Sequence, residues 1–216
     1  MLAGRNPNKL QALAESLGDA VISYHLADFT LCDGPALIDE ITASLGGLDL
    51  ALIAHGDLGS QEESEHHFDA ALATFESNLL SAVALLIPLA NYLQTQGHGH
   101  LAVLSSVAGL RGRPRNYTYG AAKSALTTYM QGLCSRLWPH VSTHTFLLGP
   151  VDSPMTANHP KNALFATPAT VAKAIEAAIE RDVAEAYVPW YWRPIMETVE
   201  RLPEPIFQQF KFLSGR

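Results

Sequence analysis

HLAVLSSVAGLRGRPRNYTYGAAK, residues His100 to Lys123, reads as three pieces in a row. Leu101–Leu104 is apolar without alternation, as in a strand buried on both faces. Ser105 and Ser106 end that run, and a loop rich in glycine and arginine follows. From about Tyr117 the pattern becomes helical. It carries Tyr119 and Lys123 four residues apart, so both lie on one face of the helix. A strand that passes through a glycine loop into a helix is one unit of a parallel α/β sheet.

The alternation continues in both directions. Upstream, Leu48–Ala54 is a second continuous apolar run, expected to be a strand covered on both faces. A polar loop over Gly56–His67 separates it from a long helix over about Phe68 to Gln96. Nearer the start lie a strand stub at Met1–Gly4, a strand at Val21–Leu26, and a helix at Ala36–Leu45 closed by Gly46-Gly47. Asn6-Pro7 opens a helix, and Leu10, Leu13 and Leu17 repeat at helical spacing up to Gly18. Downstream come a strand at Val141–Leu147, a loop at Gly149–Ala166, a helix from Thr167-Pro168 to Arg181, and a strand at Ala186–Val188. The fold class is α/β: a doubly wound, Rossmann-type parallel sheet in three layers over residues 1–190, with an aromatic tail at 191–216.

Composition narrows the function. The chain has 216 residues, 48% hydrophobic and 16% charged, which suits one globular domain. With 14 basic against 21 acidic side chains it has no excess of cations for a nucleic-acid partner. Cys32 and Cys134 are too few for a disulfide framework or a zinc knuckle and read as free thiols. No signal-peptide pattern opens the chain, and the longest apolar run, Leu79 to Ala90, is interrupted by Ser81 and Pro88 and is short for a membrane span. The expected location is the cytoplasm. His66-His67 and the pair His98 and His100 match no helical zinc spacing, so they read as solvated loop histidines and no metal is expected. Arg111, Arg113 and Arg115 either shape an anionic substrate pocket or form a solvated loop.

Tyr119 and Lys123 carry a specific chemistry. A tyrosine hydroxyl titrates near 10 in water, and a neighbouring ammonium stabilises its phenolate. A nearby serine hydroxyl can hold a carbonyl oxygen, so the three groups together can protonate a ketone as hydride reaches its carbon. A Tyr-x-x-x-Lys pair alone says little in a chain with seven tyrosines. The preceding strand, Ser-Ser end and glycine loop make it informative.

The segment resembles the active site of the short-chain dehydrogenase/reductase family. In that family the serine precedes the tyrosine by thirteen residues, the spacing of Ser106 and Tyr119. An asparagine on the preceding long helix corresponds to Asn78. The resemblance implies Tyr119 as acid/base, Ser106 as the carbonyl-orienting group, Lys123 as ribose ligand and depressor of the Tyr119 pKa, and Asn78 as holder of a relay water. Ile53-Ala54-His55-Gly56 replaces the family's Asn-Asn-Ala-Gly, so only Gly56 remains as a cofactor-lining position. His55 then faces the cofactor or serves as a hydrogen-bonded structural residue. The loop at Gly149–Thr156 resembles the segment that contacts the nicotinamide, which makes Val151 and Ser153 cofactor contacts. Arg5, after the strand stub, suits a 2′-phosphate better than the acid of NAD-dependent members, so NADP(H) is favoured over NAD(H). Asp28 resembles the adenine-binding aspartate, with loop capping as the competing reading.

The implied activity is NADP(H)-dependent reduction of a ketone, or oxidation of a secondary alcohol, in a homodimer or homotetramer. The family's first strand, its glycine-rich turn and its first helix, on the order of 30 residues, have no counterpart ahead of Met1–Gly4. A misassigned start is the favoured explanation. The alternative is a non-catalytic protein on the same fold that acts by binding or assembly. The tail, with Trp190, Trp192, Phe207, Phe210, Phe212 and Leu213, is similar to that of a bacterial branch that includes a reductase of a lipid-linked keto-sugar. It reads either as a helix on a membrane surface or greasy substrate, or as a helix packed on the domain or a partner subunit. The interspersed Glu197, Glu200 and Glu204 favour packing.

Overall fold

The computed structural model of the chain describes residues 1–21 and 23–209. In order, the elements are β1 (Leu2–Gly4), α1 (Pro7–Leu17), β2 (Tyr24–Leu26), α2 (Gly34–Leu45), β3 (Leu50–Ile53), α3 (Gln61–His66), α4 (Phe68–Phe75), α5 (Ser81–Gln96), β4 (His100–Ser106), α6 (Tyr117–Leu137), β5 (Ser142–Leu148), α7 (Pro168–Glu180), β6 (Glu185–Val188), α8 (Trp192–Arg201) and α9 (Glu204–Gln209). Side-chain caps set several helix starts. Asn6 accepts the Lys9 N–H at 3.0 Å, Asp33 accepts that of Ala36 at 3.1 Å, and Thr167 accepts that of Thr170 at 3.2 Å.

All strand pairs are parallel. They form a two-stranded sheet, β1-β2, and a four-stranded sheet ordered β3-β4-β5-β6. Alternation along β4 separates the layers. Leu101 and Val103 face a core that includes Ile53, Leu86, Leu93, Met130 and Leu133, supplied by β3, α5 and α6. Ala102 and Leu104 face the opposite side, where Phe146, Val171, Ile175 and Val188 pack under α7. The result is the expected three-layer arrangement of helices on both faces of a parallel sheet.

Three sequence expectations are corrected. First, β3 is an edge strand, paired among the described residues only with β4. Its side chains alternate: Ile53 is buried, but Leu50 is 42% and Leu52 45% exposed, along the mouth of the main cavity. Second, the polar stretch before the long helix contains α3, whose first turn is capped by Ser60 accepting from Glu63 N at 3.2 Å, so His66 sits on a helix. Third, His100 is not a solvated loop residue. It belongs to β4, and its Nδ1 lies 2.9 Å from Nε2 of the fully buried His144. The long helix expected over Phe68 to Gln96 is present, with α4 and α5 joined through a π-helical turn over Glu76–Leu80. That helix is long and apolar enough to cross a bilayer, but one stripe of it, including Leu86, Ala90 and Leu93, is core of the domain.

Residues 192–207 pack on the domain. Trp192, Met196, Val199 and Phe207 join Val107 and Leu147 in a third buried cluster beside the C-terminal ends of β4 and β5. Phe210, Phe212 and Leu213 lie outside the described residues.

Candidate active site

A cavity of about 1150 Å³ opens at the C-terminal ends of β3, β4 and β5. Ligands of open α/β sheets bind at this end of the strands. Ser106, Tyr119, Lys123, Gly56, Val151 and Ser153 all line it.

Each of these positions follows from local structure. Ser105 points into the domain, where its Oγ donates to the Lys123 carbonyl at 3.1 Å and meets Thr127 Oγ1 at 2.7 Å. The next residue on a strand faces the other way, so Ser106 turns to the cavity. Its Oγ accepts the Ala108 N–H at 3.1 Å and reaches the Leu148 carbonyl at 3.3 Å. Tyr119 and Lys123 lie one turn apart on α6, 9% and 4% exposed. Lys123 Nζ donates to the Leu104 carbonyl at 2.9 Å and lies 5.8 Å from the centre of the Tyr119 ring.

Asn78 sits in the π-helical turn, 1% exposed. Its amide donates to the carbonyls of Asp57 at 2.6 Å and Thr74 at 2.9 Å, and its Oδ1 accepts the Asp57 N–H at 3.1 Å. Such turns recur at functional sites because they re-aim one side chain. The asparagine thereby clamps the loop after β3. Gly56 explains why that loop has a glycine: a Cβ there would lie 2.7 Å from Asn78 Oδ1 and 3.4 Å from Lys123 Nζ. The amide oxygen and the ammonium therefore flank one point of the cavity wall.

Burial dominates the electrostatics. It pushes the Tyr119 hydroxyl up to about 12, with the Ser106 hydroxyl pulling weakly the other way. It lowers Lys123 to about 8. The expected lowering of the Tyr119 hydroxyl by Lys123 is not among the influences on it in this structure. The Lys123 ammonium is held to the Leu104 carbonyl, and burial is the largest influence on the Tyr119 hydroxyl. His55 Nε2 lies 2.8 Å from Ser81 Oγ, and burial together with the Lys123 and Arg5 charges lowers the imidazole to about 4. It is a neutral, hydrogen-bonded histidine on the cavity wall.

Two predicted cofactor residues lie apart from this group. Arg5 and Asp28 follow the ends of β1 and β2, outside the residues that line the cavity. Asp28 Oδ1 accepts the Thr30 N–H at 3.0 Å and the Thr30 hydroxyl at 2.7 Å, the geometry of a loop cap. These bonds, with Arg5 contributing last, hold its carboxyl below the usual range.

Two contributors, Gln61 and Trp192, were not assigned a site role from the sequence, and a third, Arg113, was read there as either shaping an anionic substrate pocket or lying in a solvated loop. Gln61 Oε1 accepts the Thr118 N–H at 3.0 Å and steadies the start of α6. Trp192 and Arg113 also line the cavity. The spacing of Trp192, Met196 and Val199 signals a helix with one apolar face; what it covers is set by tertiary packing.

The model of the family described as short chain dehydrogenase matches residues 1–163. An uncharacterized oxidoreductase of Mycobacterium tuberculosis is 33% identical over 97% of this chain and 86% of its own length. One of Myxococcus xanthus is 28% identical over 95% and 83%. Among solved structures, an alcohol dehydrogenase from Thermococcus sibiricus complexed with 5-hydroxy-NADP superposes with a TM-score of 0.75 at 19% identity, over 86% of this chain and 83% of that one.

Proposed function

The chain belongs to the short-chain dehydrogenase family of nicotinamide-dependent oxidoreductases, and on that premise we propose that it reduces a ketone, or oxidises the corresponding secondary alcohol, with NADP(H) as the preferred cofactor. The observation that carries the reading is the meeting of Ser106, Tyr119 and Lys123 on one cavity wall, with Asn78 bonded behind Gly56. The cavity suits the cofactor on its own chemistry. Lys123 has three N–H donors and one acceptor among the described residues, which leaves two for ribose hydroxyls. Arg5, after β1 and outside the residues that line the cavity, is a planar cation of the kind that suits a 2′-phosphate.

A nicotinamide cofactor, when bound, would supply hydride. The chain's own residues handle orientation and the proton. Ser106 orients the carbonyl oxygen. Tyr119, a neutral phenol at pH 7 because burial raises it to about 12, is poised to donate its proton as negative charge develops on that oxygen. Lys123, at about 8, remains largely charged at neutrality, with its Nζ 5.8 Å from the centre of the Tyr119 ring. Asn78 Oδ1, beside the Lys123 ammonium, is placed to hold water that resupplies the proton. Exposed apolar residues on the long helix, Phe68, Leu80 and Ile87, are suited to a homodimer or homotetramer contact. The test is NADPH consumption on a panel of ketones, compared with NADH. Turnover that disappears in Tyr119→Phe supports the reading; no turnover of any ketone with either cofactor overturns it.

A further inference from the structure

We infer that the substrate carries an oxyanion, a carboxylate or phosphate, which Arg113 binds in the same cavity as Tyr119; the inference rests on the proposed carbonyl chemistry. The arginines of the loop after β4 divide sharply. Arg111 is satisfied. It donates to the carbonyls of Glu200 at 3.2 Å and Leu202 at 3.3 Å, pairs with Glu204 at 2.7 Å, and lies 4.6 Å from the centre of the Phe207 ring. Arg115 is exposed. Arg113 is turned inward against α8, where Nη2 points at the Met196 sulfur at 3.4 Å, a weak acceptor. Its Nε is cut off from solvent and has no hydrogen-bond partner among the described residues.

No described ion pair includes Arg113. Its nearest ionic influence is repulsive, from Arg115. Glu176 and Glu180, the acids along the cavity, belong to α7, and neither pairs with it. A guanidinium stays charged at any working pH, and Arg113 is partly withdrawn from solvent without a counter-ion among the described residues. A ligand that brings the missing charge supplies that counter-ion. The planar fork of arginine matches the two oxygens of a carboxylate or phosphate.

A second unpartnered donor lies on the same helix. The Trp192 indole N–H is buried without a partner among the described residues, although buried tryptophans ordinarily find one. Trp192 precedes Met196 by four residues, so the indole and the sulfur that Arg113 touches share one face of α8. The indole rests on Gly149, where a Cβ would lie 1.9 Å from Nε1. Gly149 therefore permits this close approach. Leu164, Ile195 and Val199 complete an apolar lining nearby. The substrate class is a carbonyl compound with an apolar body and an anionic head.

Two measurements test this. In the first, NADPH consumption is compared for levulinate and methyl levulinate, for benzoylacetate and its ethyl ester, and for dihydroxyacetone phosphate and dihydroxyacetone. The anion of at least one pair is expected to have a kcat/KM at least tenfold above its neutral partner. That ratio should fall at least tenfold in Arg113→Met and recover partly in Arg113→Lys. Which pair responds separates carboxylate from phosphate. In the second, benzoate, phenylphosphate and benzamide are titrated into the chain without cofactor. One of the two anions should bind, benzamide should not, and Arg113→Met should weaken that binding at least tenfold while melting near the parent temperature. Neutral ketones turned over as well as their anions, with no Arg113-dependent anion binding, overturn the inference and leave the proposed activity standing. Absent turnover of every ketone defeats the proposed activity, and the titration still decides whether Arg113 holds an anion. Arg113→Lys provides the same decision should the methionine variant fail to fold.

Discussion

Lys123 Nζ lies 2.9 Å from the Leu104 carbonyl oxygen, so the ammonium on α6 is anchored to the strand that ends in Ser106. The bond fixes the lysine relative to the serine across two elements. It also offsets little of the cost of burying a charge at 4% exposure, which is why the lysine titrates near 8. Replacing it with an apolar chain of similar shape should therefore separate stability from activity. Lys123→Met is expected to melt at or above the parent temperature, because a desolvated charge is removed. It should lose about a hundredfold or more in kcat/KM. Calorimetry and steady-state kinetics on the same preparation check both signs.

Tyr119 gives a pH prediction in two directions. Its hydroxyl, raised to about 12, is protonated throughout the neutral range, and Lys123 is charged below about 8. Ketone reduction requires the protonated phenol, so kcat/KM should be level through neutrality and fall as pH rises past the lysine's titration. Alcohol oxidation requires a proton acceptor, so it should climb toward alkaline pH. Tyr119→Phe, which removes one oxygen, should cost about a thousandfold in both directions without a large loss of stability. Paired pH–rate profiles would contradict the assignment if both directions rose together.

Gly56 should tolerate nothing larger. In Gly56→Ala the new methyl would sit 2.7 Å from Asn78 Oδ1, in a loop that Asn78 already grips by two bonds to Asp57. The expected cost is about 1–3 kcal/mol of stability from overpacking. A fall in kcat should accompany it as Asn78 and Lys123 are pushed apart. Urea unfolding and kinetics measure the two effects. Unchanged values in both would show that the loop moves freely.

Much of this arrangement is legible in the chain because local signals agree with tertiary demands. Asn6, Thr167 and the Tyr117–Leu137 helix are read from capping chemistry and periodicity, and the structure has them in place. The assignment of Ser106 to the cavity came from its thirteen-residue spacing; strand alternation gives the physical reason for it. What was not legible depends on partners. The apolar run at β3 looks the same whether the strand is central or at an edge, and only pairing decides that Leu50 and Leu52 face the cavity mouth. The π-helical turn that aims Asn78 leaves no periodic trace, since five residues are too few to shift it. The three loop arginines are alike in sequence, and it is the arrival of α8 and α9 that satisfies Arg111 and isolates Arg113.

His55 predicts acid sensitivity with a defined window. Its folded value, about 4, lies below the ordinary 6.5. The unfolded chain therefore binds the proton more readily. The stability from keeping the ring neutral is complete above about 6.5 and is lost as pH falls from there toward about 4, by at most about 3 kcal/mol. His144, fully buried, adds in the same direction: burial lowers it, and its Nδ1 donates to the Val183 carbonyl at 2.9 Å while Nε2 faces His100. Denaturant midpoints should decline over this range, and His55→Gln, which can still bond Ser81, should flatten part of the decline.

Phe207 decides whether the end of the described chain is fastened to the domain. Its ring is fully buried against Met196 and Val199, and the Arg111 guanidinium covers it 4.6 Å from the ring centre. Phe207→Ala removes a large buried side chain and leaves a void, so the expected loss is about 3–5 kcal/mol. The loss should also be local in its first expression. With the ring gone, Arg111 loses one face of its contact while its bonds to Glu200, Leu202 and Glu204 become exposed, and α9 should detach before the sheet unfolds. Limited trypsin digestion, followed by mass, should then show early cleavage after Arg201 in the variant and slow cleavage in the parent. Equal cleavage rates would mean that α9 is held by something other than Phe207. A drop in activity alongside the cleavage would show that the α8–α9 segment, which carries Trp192 and Met196, must stay docked for the cavity to work.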